Sequence, residues 1–338
     1  MFKHRHIDAL PLVVSLGFSI SLTGHVLFAQ SATPDSPSPQ PAAVKRLVTQ
    51  GLANTIMDNL FSCAADIRSF RKSPVGEITA DDGTVLTVPA NTAYASGRKL
   101  ADLYNDCSRT TPQKFSDMQP DKVPIVEIDP DGEVITGFIV ADNYFELYAN
   151  GALVGVDPVP YTPFNSVIVR FRAKRPITYA LKLVDWEERL GLGMETNRGN
   201  DWHAGDGGLV ARFSDGTVTD RSWKAQAFYI APLAQPSDVV ENGSIHDTSR
   251  LGRVYPGAKV PTCRERCFAV HYPLPENWAA VDFDDRRWPA AAEFTDEEVG
   301  VEHIPAYTRY PEAFDGARWI WSANLVFDNL VLARKTVR

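Results

Sequence analysis

The stretch "ADNYFELYANGALVGVD", residues 141–157, decides the fold. Asn150-Gly151 stands between two short apolar runs, and that dipeptide supplies the positive φ angles a two-residue hairpin turn needs. Alternation along the first arm sets Tyr144, Glu146 and Tyr148 on one face and Phe145, Leu147 and Ala149 on the other. The second set is the natural core. The first set faces solvent or a second layer, and it has two readings. An aromatic–acid–aromatic row is a platform on which rings stack against sugar C–H groups while the carboxylate accepts hydroxyl hydrogen bonds. The same row also serves as ordinary cross-strand pairs.

From about residue 121 the same texture runs to the end of the chain. Segments such as "SVIVRFRA", "ITYALKLVDW", "AQAFYIAPL" and "NLVLARKTV" are short, β-branched or aromatic, and separated by Gly, Pro, Asn and Asp. That spacing predicts a mainly β protein, with an antiparallel β-sandwich or jelly roll over residues 121–338. The preceding region reads differently. Val44, Leu47, Val48, Leu52, Ile56, Leu60, Cys63 and Ile67 recur at three-and-four spacing, which predicts an amphipathic helix over 44–72. "GEITADDGTVLTVPA" predicts a hairpin at Asp82-Gly83, and Leu100, Leu103, Tyr104 and Cys107 return to helical spacing. Residues 44–120 are thus expected to form a small helix–hairpin–helix unit.

The first residues carry Lys3 and Arg5, then an apolar run over 9–28 and the small Ala29. This is the pattern of a secretory signal peptide over 1–29. An uncleaved membrane anchor is the alternative, which Gly17, Gly24 and His25 weaken. A Pro/Ser-rich linker, 30–43, follows. The chain holds four cysteines, an even count that in an exported protein implies two disulfides. The simplest pairing is Cys63–Cys107 with Cys263–Cys267; the other two pairings stay open. The expected location is secreted or periplasmic, with no membrane insertion after leader cleavage. A net charge of −8 without a Lys/Arg-rich run argues against nucleic-acid binding and against adsorption to anionic lipid.

Three motifs carry a family resemblance. "YFELYANGALVG" resembles the strand–turn–strand of galactose-binding-like β-sandwich modules. "VDFDDRRWPAA" (281–291) is similar to the Asp-Asp-x-x-Trp turn in sugar-binding domains of several glycosidases. "ARWIWSANLVFDNLVLARKTV" (317–337) resembles a further strand pair of such modules, although that Trp-Ile-Trp strand often comes first. The resemblance covers 125–338 and implies a carbohydrate or glycoconjugate ligand at the cell envelope. Asp282, Asp284 and Asp285 offer the oxygen ligands calcium prefers. The same turn also reads as a plain one, with Trp288 folded back as a core plug.

The region 184–220 is the most polar and Gly-rich. Asp185, Trp186, Glu188, Trp202, His203 and Asp206 are its candidate ligand-binding residues, on a long excursion of the kind that carries function. A pair of its carboxylates supplies the acid and base of a glycoside hydrolase, an alternative function. "CRERCFAVH" (263–271) is similar to the binuclear copper loop of cytochrome oxidase subunit two, with Leu274 where a Met is usual. That resemblance implies Cys263, Cys267 and His271 as copper ligands in a second alternative, a redox protein; a Cys263–Cys267 disulfide is the competing reading. His303 stands alone in "GVEHIP" and reads as a surface or packed residue. No nucleophile elbow, zinc-protease motif or haem attachment motif occurs.

Overall fold

A computed structural model describes residues 45–63, 71–161, 164–196, 202–251 and 263–338. The expected leader and linker lie outside the described residues. In chain order the strands are β1 (Leu47–Gln50), β2 (Asn54–Met57), β3 (Val75–Thr79), β4 (Val85–Val88), β5 (Ala101–Tyr104), β6 (Val126–Glu127), β7 (Glu133–Asp142), β8 (Tyr144–Ala149), β9 (Ala152–Val156), β10 (Ser166–Ala173) and β11 (Ile177–Val184). They continue with β12 (Met194–Thr196), β13 (Trp202–Ala204), β14 (Gly208–Phe213), β15 (Lys224–Leu233), β16 (Val240–Asn242), β17 (Ile245–Asp247), β18 (Phe268–His271), β19 (Ala292–Phe294), β20 (Trp319–Trp321) and β21 (Asp328–Val337). Two one-turn helices, α1 (Asp296–Val299) and α2 (Pro305–Thr308), lie between β19 and β20.

Two seven-stranded sheets form the sandwich. The first runs β1-β18-β15-β21-β11-β8-β9, and the second runs β19-β20-β14-β7-β10-β5 with β6 also paired to β10. Pairing in both sheets is antiparallel, apart from the parallel β6–β10 pair. The inner faces interdigitate: Tyr179 of β11 lies 4.4 Å, centroid to centroid, from Phe213 of β14, which in turn meets Phe171 of β10 edge-on. Residues of β11, β15 and β21 are buried on both faces, because loops cover the outside of the first sheet. This is the mainly β, antiparallel sandwich that the strand spacing predicts.

The opening hairpin forms as read. Ala149 pairs with Ala152, and Asn150 (φ 49°) and Gly151 (φ 84°) both adopt the left-handed conformation of a tight turn. The Asp82-Gly83 hairpin is β3–β4, with Thr79 opposite Val85.

The two expected helices do not form among the described residues. Residues 47–57 make β1 and β2 on either side of Gly51 (φ 84°), and β1 pairs with β18 as an edge of the first sheet. The apolar residues that suggested one helical face point different ways: Leu47 is buried, whereas Leu52 and Ile56 are 51% and 57% exposed. Residues 101–104 form β5, an edge strand paired with β10. The region is therefore built into both sheets, and residues 42–338 form one compact unit. The 317–337 motif also differs from the strand pair expected, since β20 belongs to the second sheet and β21 to the first.

Candidate functional site

The site follows from how the chain leaves one end of the sandwich. β7, in the second sheet, ends at Asp142, and after Asn143 the chain enters the first sheet as β8. Val184, the last residue of β11, pairs with Tyr144, so Asp185 emerges beside that crossing. Gly208, the first residue of β14, pairs with Asp142, which brings Asp206 alongside. Asn143 pins the crossing: its backbone N–H donates to the Val184 carbonyl at 3.1 Å, and its side-chain oxygen accepts from the Trp186 N–H. Between Asp185 and Asp206 the chain makes its own hairpin, β12–β13, in which Glu195 pairs with His203.

These elements frame a cleft of about 160 Å³. Its polar lining is Arg71, Asp142, Asn143, Glu195, Asp206 and His303; Phe164 and Ile304 supply apolar wall. Glu195 Oε2 accepts from the Arg71 guanidinium and from the Tyr161 hydroxyl, the latter at 2.6 Å. Asp142 accepts from the Asn143 side-chain amide at 2.6 Å. Asp185 is buried behind them, and its Oδ2 has no hydrogen-bond partner among the described residues. Both of its oxygens lie so close to Gly205 that a Cβ there would sit 2.6–2.7 Å from them. Glycine at 205 is what lets this carboxyl press against the backbone that carries Asp206.

The electrostatics follow from burial and crowding. Burial pushes the carboxyls of Asp142, Asp185 and Asp206 well above the usual carboxylate range, and the negative charge of Glu195 adds to each rise. Asp142 is raised further by Asp206. The cleft thus mixes carboxyls that hold protons, and so donate, with a guanidinium-paired carboxylate that accepts. Such a surface is suited to a ligand rich in hydroxyl or amine groups. Deeper in, burial raises Glu187 to about 7, although the N–H groups of Gly191 and Gly193 and the Tyr229 hydroxyl all donate to it. It fixes the turn that leads into β12.

Of the sequence candidates, only Asp206 lines this cleft, with Asp185 directly behind it. Trp186 is a core residue: it is fully buried, donates to the Pro74 carbonyl at 3.0 Å and packs edge-on against Tyr144. Glu188 is half-buried and accepts from the Thr196 N–H. His203 bonds the Ala204 carbonyl, with its ring 3.9 Å from Glu195. Trp202 is exposed beneath the Arg189 guanidinium.

The Tyr144–Glu146–Tyr148 platform does not exist as an open surface. Residues 91–99 cover it: Glu146 is fully buried, accepts from the Ala93 N–H at 2.5 Å and from the Tyr148 hydroxyl at 2.7 Å, and pairs with Lys182 at 3.0 Å. Tyr94 packs on Tyr144, and Trp278 on Tyr148.

In the acidic turn, Asp282 and Asp284 are exposed and two of the three carboxyls are engaged by arginines. Asp284 is paired with Arg286, and Asp285 accepts from the buried Arg334 at 2.9 Å, while Asp282 joins no group of ligands. The three aspartates do not converge into a group of calcium ligands among the described residues, and Trp288 is buried as a core plug. The copper set is also overturned. Cys263 and Cys267 are joined in a disulfide, as are Cys63 and Cys107. His271 is buried, bonded to Thr49 and stacked on Tyr229. Among the described residues, no three His, Cys, Asp or Glu side chains are placed to hold a metal ion.

Sequence reasoning missed Arg71, Asp142, Asn143, Glu195 and His303 as members of one site. The one available signal was the Asp-Asn pair, which interrupts an otherwise apolar run between β7 and β8. No family model matches the chain, and no curated protein or solved structure matches it either.

Proposed function

We propose that this chain is an exported, secreted or periplasmic, carbohydrate-binding protein whose ligand site is the Asp142–Glu195–Asp206 cleft. The observation that carries the reading is the convergence of three carboxyls, Asn143 and Arg71 on one small hollow at the end of a rigid sandwich. Paired donors and acceptors at fixed positions are what vicinal hydroxyls require, and Phe164 offers an apolar face. The volume falls below the roughly 300–1,000 Å³ of drug-sized ligand sites, so a single sugar unit or a chain end is the fitting ligand. The two disulfides agree with maturation in an oxidising compartment. Affinity electrophoresis and a glycan array using the folded chain test the proposal. Binding is expected to weaken at least about tenfold in Asp206→Asn and Glu195→Gln. Failure to bind any glycan removes it.

A second reading, hydrolysis of a glycosidic bond at the same cleft, is favoured by one observation: Asp142 and Asp206 face one hollow and burial raises both, which places a protonated carboxyl, the form a general acid needs, in the cleft. Release of product from chromogenic glycosides, abolished in Asp142→Asn, would support it. Inertness across a broad panel of glycosides would dismiss it.

A further inference from the structure

The disulfide loop Cys263–Cys267 lies against the hairpin that forms one wall of the cleft. Cys267 is fully buried and packs with Leu192 and Met194, with Cys263 against them, in a small apolar cluster apart from the main core. Met194 opens β12, and its carbonyl accepts from the N–H groups of Glu188 and Arg189. The next residue is Glu195, which lines the cleft. A second contact runs over the outside. Glu265, in the exposed part of the loop, accepts from the Arg189 guanidinium at 2.7 Å, and that guanidinium lies over the Trp202 ring of β13 at 4.8 Å. The loop therefore grips both strands of the hairpin. It is also well placed to open. Residues 264–266 are all exposed, and Arg264 adopts φ 50°, a left-handed conformation that is unfavourable for a residue with a side chain. Closure of the ring around Arg264 holds that conformation in place.

We propose that Cys263–Cys267 is a reversible thiol–disulfide exchange site whose partner is a dithiol, and that opening it releases the β12–β13 wall of the cleft. The device is independent of which ligand the cleft takes. A thiolate of the dithiol attacks the Cys263 sulfur, the partly exposed one of the pair, and the buried Cys267 leaves as a thiolate that takes up a proton. The second thiolate of the dithiol then attacks its own molecule's sulfur in the mixed disulfide and displaces Cys263, which is protonated in turn. In sum, one protein disulfide is reduced to two thiols and one dithiol is oxidised to a disulfide, with two electrons and two protons passing to the protein. Once the ring is open, Arg264 returns to ordinary backbone angles. Glu265 then has no fixed position from which to hold Arg189, and Met194 loses the cystine it packs against. Strained or exposed disulfides are the labile ones that serve regulation or catalysis.

The test exposes the full folded chain to graded dithiothreitol and follows it by alkylation of free thiols, peptide mass spectrometry and hydrogen exchange. Cys63–Cys107 is the internal reference. Cys263 and Cys267 should become alkylated at about tenfold lower reductant than Cys63 and Cys107. In the chain reduced at that pair alone, amide exchange over β12 and β13 should quicken about tenfold, while β7 and β11 stay protected. Reoxidation should restore the protection. The Cys263→Ser/Cys267→Ser variant should show the same faster exchange without reductant, with its fold checked by circular dichroism; if it does not fold, the selectively reduced chain carries the test. Reduction of both pairs together, only as the chain unfolds, overturns the proposal. Selective reduction with no change in the hairpin's exchange overturns it too, because this cystine would then be a plain staple. Neither readout needs a sugar, so a failed glycan screen and a failed switch are told apart.

Discussion

His271 is only 7% exposed and lies between Thr49, whose hydroxyl is 3.0 Å from its Nε2, and the ring of Tyr229, stacked at 4.5 Å. Burial penalises the charged imidazole and lowers its pKa from 6.5 to about 3. Between those two values the unfolded chain binds the extra proton and the folded chain does not. Stability therefore climbs with pH across this window, is complete above about 6.5 and is lost as pH falls toward 3. His271→Phe keeps a ring against Tyr229 and removes the titration. At neutral pH it should cost about 1 kcal/mol for the lost Thr49 bond. Below pH 5 the variant should match or exceed the parent in urea melts. A variant that stays equally inferior at pH 4 and pH 7 would show that the proton is not excluded from this site. Nothing in "CRERCFAVH" reveals the burial, because the two partners of His271 come from β1 and β15, far away in sequence.

At the scale of elements, the turns were legible and the helices were not. Asp82-Gly83 and Asn150-Gly151 each formed the expected hairpin, since positive φ at those residues is a local property. Leu52 and Ile56 misled because a three-and-four spacing shows helix only when one neighbour buries all of it. Here an edge of the first sheet captures Leu47–Gln50, and the chain then turns away at Gly51. The two cystines then divide the work unequally. Cys63–Cys107 closes 44 residues and ties the segment before β3 to the turn after β5, whereas Cys263–Cys267 closes 4. Chain entropy assigns about 4 kcal/mol to the first and about 2 kcal/mol to the second. The Cys63→Ala/Cys107→Ala double variant should therefore melt well below Cys263→Ala/Cys267→Ala. The reverse order in calorimetry would mean that the short loop, not the long one, braces the fold.

For the whole molecule, the site was the least legible part. Asp142, Asp185, Glu195 and Asp206 meet only because β7 and β14 pair in one sheet while β8 and β11 pair in the other, and sheet membership is a long-range choice. Local reading found the polar excursion after Val184 and Asp206 within it, but could not place Asp142 opposite Gly208. The same assembly concentrates buried acid. Burial raises Asp142, Asp157, Asp185 and Asp206 well above the ordinary range, and Glu187 and Asp328 to about 7. Each of these holds a proton in the folded chain after the unfolded chain has lost it near pH 4. Their contribution to stability is complete below that value and declines as pH rises through the folded pKa, which for Glu187 and Asp328 is spent near 7. His271 and His246, the latter lowered to about 4, act in the opposite sense, but only below about 6.5. Glu188 is raised by burial too, and these acids outnumber the two imidazoles, so the ligand-free chain should melt higher at pH 5 than at pH 7.5. A melting temperature that rises steadily from pH 5 to 7.5 would contradict it, and would mean that these carboxyls ionise in the folded chain near their ordinary pKa.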